Sequence, residues 1–187
     1  MYNIKLVKMN RNSCDIPLLE KLNNQAFPEN ERISVEDMFC FSENDGRDIL
    51  GIYTDNEFSG FFIIMRFMKC AYICYFAVCP EKRSQGIGGN ALCLLKKYYP
   101  DCHIVVDFEA TDENAENNQQ RIRRRNFYYR NGFFKTGYFQ FYMKTEFEIA
   151  CSEPYFDKTE FEGLMSEIHA IADDFNPELY TKKTDAE

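Results

Sequence analysis

The stretch Tyr72-Ile73-Cys74-Tyr75-Phe76-Ala77-Val78-Cys79, followed by Pro80-Glu81-Lys82-Arg83-Ser84-Gln85-Gly86-Ile87-Gly88-Gly89, decides how this chain folds. Its first half has no polar alternation, as expected of a strand buried on both faces. Its second half packs three glycines into four positions ahead of a helical pattern. In that pattern Ile87, Ala91, Leu94, Leu95 and Tyr98 share one face. Pro100-Asp101 ends the helix, and His103 to Phe108 reads as the next strand. Strand, turn, helix and strand in so short a span make a βαβ unit with a parallel strand pair.

Before this stretch the chain reads as an antiparallel meander, roughly Asp48–Tyr53, Phe58–Met68 and Cys70–Cys79. Asp55-Asn56 is the turn between the first two strands. Ile4–Met9 alternates apolar and polar residues and predicts a first strand. Asp15-Ile16-Pro17 opens a helix with Leu18, Leu19, Leu22 and Ala26 on its apolar side. Ser34 is the N-cap of a second short helix, with Asp37 at N3 and Ile33 and Met38 placed as a hydrophobic staple. Beyond the βαβ unit, a polar helix over roughly Asn114–Arg130 is closed by Gly132 at its C′ position. Phe133–Lys144 and Glu146–Ala150 read as two closing strands. Asp157 caps a last helix, Glu160 completes a capping box, and Phe156 with Phe161 form the staple. Phe161, Leu164, Met165, Ile168, Ile171, Ala172 and Phe175 recur at helical spacing, and the tail after Pro177 reads as frayed.

These elements belong to one domain of 187 residues, long enough to bury most of its apolar surface. The α/β part is expected over 1–150, with 151–187 as a C-terminal helix packed on it and a tail. The content of 18 Phe and 12 Tyr suits packing on strands. The net charge of −8 weighs against nucleic acid or an anionic membrane as partner. No signal-peptide apolar segment opens the sequence, and the longest apolar run, Ala71–Cys79, is far too short to span a bilayer. A cytoplasmic protein is therefore expected. Eight cysteines without a Cys-x-x-Cys pair, and only His103 and His169 as histidines, argue against zinc, so no metal is expected. The cysteines sit mostly in apolar stretches and read as reduced, buried thiols.

The glycine-rich turn joins a buried strand to a helix N-terminus. There the backbone N–H groups lack partners and the helix dipole is positive. The glycines let the backbone approach a bulky anion, which makes a phosphate site. A P-loop would need Gly-Lys-Ser/Thr, and here Gly89 is followed by Asn90-Ala91. The dinucleotide fingerprint is met only in its looser form, Gly86-x-Gly88-x-x-Ala91. Asp107 and Glu109 lie near the spacing of its acidic residue, so spacing alone does not exclude it. The preceding meander argues against it.

Arg83-Ser84-Gln85-Gly86-Ile87-Gly88 resembles the acetyl-CoA-binding motif of the GNAT superfamily of N-acetyltransferases, Arg/Gln-x-x-Gly-x-Gly/Ala. Downstream, Asn126-Phe127-Tyr128-Tyr129-Arg130-Asn131-Gly132-Phe133 resembles the family's Phe-Tyr-x-x-x-Gly-Phe segment. The clear resemblance runs from roughly Glu57 to Lys144. It implies an α/β (α+β) fold: a mixed, mostly antiparallel central sheet of about seven strands with a splayed parallel pair, flanked by helices. The last forty or so residues would add an extra C-terminal helix.

The resemblance further implies acetyl-CoA as cosubstrate. Ala77, Val78 and Cys79 would pair with its pantetheine arm. A backbone N–H there, that of Val78 by the family's pattern, would polarise the thioester carbonyl. Arg83, Ser84, Gln85, Gly86, Ile87, Gly88 and Gly89 would hold the pyrophosphate. By register from Gly132, Tyr128 would be the acid that protonates the departing thiolate, and its neighbour Tyr129 points about 100° away round the helix. A buried core aromatic is the alternative for Tyr128.

Glu109 is the candidate base, from its position near the C-terminal end of a parallel strand. Asp107 shares its face. A residue capping the next helix is the competing reading of Glu109. Glu31 and Arg32, after Phe27-Pro28, lie where the family often binds its acceptor. The cluster Arg121, Arg123, Arg124, Arg125 and Arg130 reads as a solvated helix face paired with acids such as Glu113 and Glu116. The expected activity is transfer of an acetyl group to a primary amine, on a small molecule or a protein, by direct attack. A non-catalytic acyl-CoA-binding sensor and a longer acyl donor stay open, and the closing strands could pair across a homodimer.

Overall fold

The computed structural model describes residues 2–29, 31–42, 46–170 and 177–182. Within them the chain forms β1 (Ile4–Lys8), α1 (Ile16–Ala26), α2 (Val35–Ser42), β2 (Arg47–Thr54), β3 (Glu57–Phe67) and β4 (Cys70–Val78). A 3₁₀ turn (Pro80–Lys82) leads to α3 (Ile87–Tyr98), β5 (His103–Glu109) and α4 (Asn118–Arg130). The chain closes with β6 (Phe134–Tyr142), β7 (Thr145–Cys151), α5 (Lys158–His169) and β8 (Glu178–Thr181). The strands form an open, mostly antiparallel sheet in the order β1-β2-β3-β4-β5-β7-β6-β8, with one parallel pair. The chain divides into two compact units, Met1–Arg66 with Tyr72–Pro100 and Phe67–Ala71 with Asp101–Glu187.

In the first unit the meander forms as read. β1 runs antiparallel to β2 from Ile4↔Thr54 to Lys8↔Leu50. Asp55 and Asn56 take left-handed φ values of 50° and 69°, which these two residue types tolerate best in a turn. α1 and α2 lay Leu19, Leu22, Met38 and Phe39 against Ile49 and Phe61. Each such burial contributes about 1.5–3 kcal/mol before entropy is subtracted. The cap of α2 is the predicted one: the Asp37 N–H donates to Ser34 Oγ at 3.0 Å. Three readings are corrected. Leu18 is exposed, because the buried stripe of α1 is limited to Leu19, Leu22 and Asn23. On α3 the buried stripe is Ile87, Ala91, Leu92 and Leu95, and Tyr98 stands outside it against the Tyr99 ring. β4 is buried over Cys70–Ile73 and again at Ala77, whereas Cys74, Tyr75, Phe76 and Val78 are half-buried.

In the second unit β5 pairs antiparallel with β7 from Val105↔Cys151 to Glu109↔Phe147, and β7 pairs with β6. Part of the tail read as frayed is ordered, while residues 183–187 lie outside the described residues. Residues 178–181 form an eighth strand, paired with β6 from Tyr138↔Thr181 to Phe141↔Glu178. Side chains hold it: Tyr180 stacks on Phe139, and both Tyr180 and Lys182 donate to the Glu146 carboxylate. Their charge and ring contacts offset the entropy of ordering a four-residue strand.

α4 starts at Asn118 rather than Asn114. Asp112 Oδ1 accepts from the Asn114 N–H at 2.9 Å, an Asx turn that competes with the helix. Asp157 caps α5 by accepting from the Glu160 N–H at 3.0 Å, and Phe156 packs on Phe161 at 5.4 Å as the staple. The capping box is half made, since the Glu160 carboxylate turns to His103 Nε2 at 3.6 Å. Phe161, Leu164, Met165 and Ile168 are buried. Ile171, Ala172 and Phe175 lie outside the described residues. No helix among the described residues is long and apolar enough to cross a membrane.

Candidate active site

The first unit carries the phosphate turn. β4 ends with the Cys79 N–H donating to Ser59 O at 2.9 Å. The 3₁₀ turn is then tied down by Lys82, whose Nζ reaches both Glu57 and Ser59 at 3.1 Å. Lys82 is thereby spent on structure, and Arg83 is a second cation at the turn. Its side chain is exposed and folds back so that Nε donates to Val78 O at 3.0 Å.

From Arg83 the backbone reverses through two left-handed residues, Ser84 at φ 62° and Gly86 at φ 79°. A Cβ at Gly86 would meet only Asn90 Nδ2, at 3.7 Å, so glycine is needed there for its conformation and not for room. Gly86 is also the N-cap of α3, with no side chain closing the helix end. Among the described residues the N–H groups of Ile87, Gly88 and Gly89 have no backbone acceptor, as the first turn of a helix dictates. The Ile87 side chain is buried in the core, so its contribution to a ligand is its N–H alone. Unpaired donors, a positive helix end and one exposed guanidinium suit a bound pyrophosphate.

The sequence reading missed one partner of this turn. The Tyr2 hydroxyl donates to Gln85 Oε1 at 2.9 Å while Gln85 Nε2 donates to Glu81 O at 3.0 Å. Gln85 is thus pinned from both ends, one of them by a residue 83 positions away in sequence. No local pattern could reveal such a contact. In the same unit the Tyr75 hydroxyl donates to Glu31 O at 2.6 Å, and its ring meets Phe27 edge-on at 5.0 Å. The loop holding Glu31 and Arg32 therefore leans on β4 two residues before Ala77. Arg32 itself donates to Asn24 O at 3.2 Å.

The second unit carries Tyr128 and Glu109. Tyr128 sits in the last turn of α4, which ends in a Schellman motif: Phe133 N–H to Tyr128 O at 3.2 Å, and Gly132 N–H to Tyr129 O at 3.1 Å. Gly132 supplies the left-handed residue at φ 74°. The hydrophobic contact that accompanies this motif is Tyr128 against Phe133, with ring centroids 5.5 Å apart. Phe108 stacks on the other side of Tyr128 at 5.3 Å. The spacing of Tyr, Gly and Phe in this segment is thus a helix-end geometry that fixes where the tyrosine ring lies.

Burial pushes the Tyr128 hydroxyl well above the ordinary tyrosine range, so it is protonated at neutral pH. It has no hydrogen-bond partner among the described residues. Tyr129 differs: its hydroxyl donates to Glu148, and burial and that bond raise its pKa as well.

Glu109 ends β5 with both oxygens engaged. Oε1 lies 2.9 Å from Arg121 Nη2, and Oε2 lies 3.2 Å from Arg124 Nη1. Asn117 Nδ2 donates to Oε1 at 3.2 Å. Two of the α4 arginines, Arg121 and Arg124, thus pair with Glu109 rather than with Glu113 or Glu116, and Arg125 reaches Thr111 at 3.4 Å. A partner on the neighbouring strand end is preorganised, whereas acids on the preceding turn are exposed. Asp107, on the same face of β5, accepts from Gln140 Nε2 at 2.6 Å and Tyr142 at 3.0 Å. Among the described residues no group of three or more His, Cys, Asp or Glu side chains is arranged to hold a metal ion.

Residues 16–133 match the model of the acetyltransferase (GNAT) family, and the chain belongs to that family. A comparison with curated proteins finds no match. Among solved structures, a protein from Bacteroides thetaiotaomicron assigned to the GNAT acetyltransferases is similar over 90% of this chain and 97% of its own, at 21% identity and a TM-score of 0.72. The ribosomal-protein-S18-alanine N-acetyltransferase of Escherichia coli is similar over 80% of this chain and 92% of its own, at 16% identity and a TM-score of 0.60. An aminoglycoside 6′-N-acetyltransferase solved with coenzyme A is similar over 82% of this chain and 99% of its own, at 14% identity and a TM-score of 0.61. At such identities the likeness concerns the fold.

Proposed function

We propose that this protein is an acetyl-CoA-dependent N-acetyltransferase that acts on a primary amine by direct attack. The observation that carries the reading is the open helix end at Gly86–Gly89, beside the exposed Arg83, in a chain of this family. The amides of the turn, with Arg83, would bind the pyrophosphate. Backbone groups of Ala77, Val78 and Cys79 would pair with the pantetheine arm, and the Val78 N–H would polarise the thioester carbonyl. Acetyl-CoA supplies the activated acyl group.

As the amine nitrogen bonds to the carbonyl carbon and the C–S bond breaks, the Tyr128 hydroxyl would give its proton to sulfur. A hydroxyl that is protonated and, among the described residues, has no hydrogen-bond partner suits this role, and favours turnover over a non-catalytic acyl-CoA sensor. Tyr129 suits it less, because Glu148 already holds its proton. Glu109 would take the amine proton through water. It is the weaker assignment, since a relayed proton must compete with two guanidinium partners. The amine-modifying structural relatives support an amine acceptor in general and favour no particular one.

Calorimetric titration with acetyl-CoA tests the reading, on the native protein and on Gly86→Glu. Micromolar binding that the substitution abolishes is the expected result. A native protein that does not bind acetyl-CoA would overturn it.

A further inference from the structure

Gly60, on β3, is needed for room. Its φ is not in the left-handed region, yet a Cβ there would lie 2.3 Å from Ala77 O, 3.1 Å from Val78 Cα and 3.2 Å from Ala77 C. All three atoms are backbone, so no side chain can swing aside to relieve the overlap. In a regular antiparallel pair a Cβ projects away from the neighbouring backbone. The Ala77–Val78 peptide must therefore ride over the face of β3 at Gly60.

Counting residues along the hairpin identifies the cause. β3 ends at Phe67 and β4 begins at Cys70, so the two-residue connection Met68-Lys69 makes Phe67 and Cys70 the closing pair. In that register Ala77 faces Gly60 and Cys79 faces Phe58. The Cys79 N–H instead donates to Ser59 O. Residues 70–79, β4 and the residue after it, thus span the same length as residues 59–67 of β3, and the β4 side holds one residue too many. Two residues facing one is a β-bulge, and the contacts of Gly60 locate it at Ala77 and Val78. The Val78 carbonyl is consistent with this: it accepts from Arg83 Nε. A bulge leaves a residue outside the ladder and re-aims its backbone groups.

We propose that Gly60 is a positioning residue of the acyl-CoA site: its bare Cα makes room for the Ala77–Val78 bulge, and the bulge turns those backbone groups from the β3 ladder toward the ligand's pantetheine arm. The inference rests on the proposed acetyl-CoA reading. It predicts that a methyl group at residue 60 flattens or shifts the bulge and harms recognition of the arm, while the phosphate turn, built on α3, keeps its grip on the nucleotide end.

The test titrates acetyl-CoA and adenosine 3′,5′-bisphosphate separately into the native protein, Gly60→Ala and Gly51→Ala. Gly51 is the control, since a Cβ there would meet the side-chain atoms of Tyr53 and Met9, which can move. The expected result is a loss of about tenfold or more in acetyl-CoA affinity for Gly60→Ala, the scale of losing one or two backbone hydrogen bonds. Its affinity for the bisphosphate should stay unchanged, and Gly51→Ala should keep both ligands.

The proposal is overturned if folded Gly60→Ala binds acetyl-CoA as the native protein does, or loses both ligands in equal measure. Should Gly60→Ala fail to fold, the same substitution is combined with deletion of Val78, which removes the extra residue. Restored folding supports the bulge as the source of the conflict, and continued failure overturns it. A native protein that binds neither ligand sinks the acetyl-CoA reading and this inference together. A native protein that binds both leaves Gly60 to be judged on its own variant.

Discussion

Gly60, on β3, and Gly86, at the turn before α3, are both glycines for opposite reasons. Gly86 has open space around it and a backbone angle few other residues adopt; Gly60 has an ordinary angle and no space. Only the first kind leaves a trace in sequence, as a glycine in a turn-like context. The second depends on what crosses over it. Tyr128 poses the same problem in another form. Its helix-end motif is legible, but whether the ring packs or reacts depends on its hydroxyl. The structure buries the ring between Phe108 and Phe133 and leaves the hydroxyl without a hydrogen-bond partner among the described residues. Tyr128→Phe keeps the ring packing and removes the proton. Turnover with a reactive amine should then fall about a hundredfold if the hydroxyl is a general acid, with acetyl-CoA affinity retained. Single-turnover kinetics read this directly, and an unchanged rate sinks the acid role.

Local chemistry specifies several elements of this chain. The Ser34 cap, the Asp55-Asn56 turn, the Gly132 helix end and the Phe156–Phe161 staple all form as the residues suggest. Local patterns give way where a second element competes for the same atoms. Glu160 leaves its own capping box for His103, Asp112 starts a turn where a helix was read, and Tyr180 and Lys182 order a strand from a tail that looks featureless. α5 rests on a single side-chain cap, so Asp157→Ala should cost about 1 kcal/mol. Denaturant unfolding would show this as a lower midpoint with an unchanged slope. No shift in the midpoint would mean that packing on Phe67, which a Cβ at Gly163 would meet at 2.5 Å, carries the helix start as well.

For the molecule as a whole, stability in acid should depend on Asp48. Its buried carboxylate accepts from the Tyr99 hydroxyl at 2.6 Å and pairs with Lys8. Burial disfavours its charge, but the hydrogen bonds from Lys8 and Tyr99 prevail and hold its pKa below the usual carboxylate range. A carboxyl whose folded pKa is lowered stabilises the protein above its unfolded pKa of about 3.9. That stability is lost as pH falls through the folded value. Asp48→Asn should therefore lower stability at neutral pH and reduce the steepness of the acid limb. Thermal unfolding from neutral pH down to strong acid would check it, and parallel native and variant curves would refute it.

The sequence by itself determined the family, the βαβ unit and the location of the phosphate turn. Those rest on hydrophobic periodicity, helix caps and glycine conformation, which act over a few neighbouring residues. Tertiary structure alone decided that Tyr2 pins Gln85, that Glu109 gathers Arg121 and Arg124 and that the Ala77–Val78 backbone crosses close over Gly60. Each of these joins residues remote along the chain. Their energies depend on distance and burial in the folded state, and no local pattern of residue types encodes either.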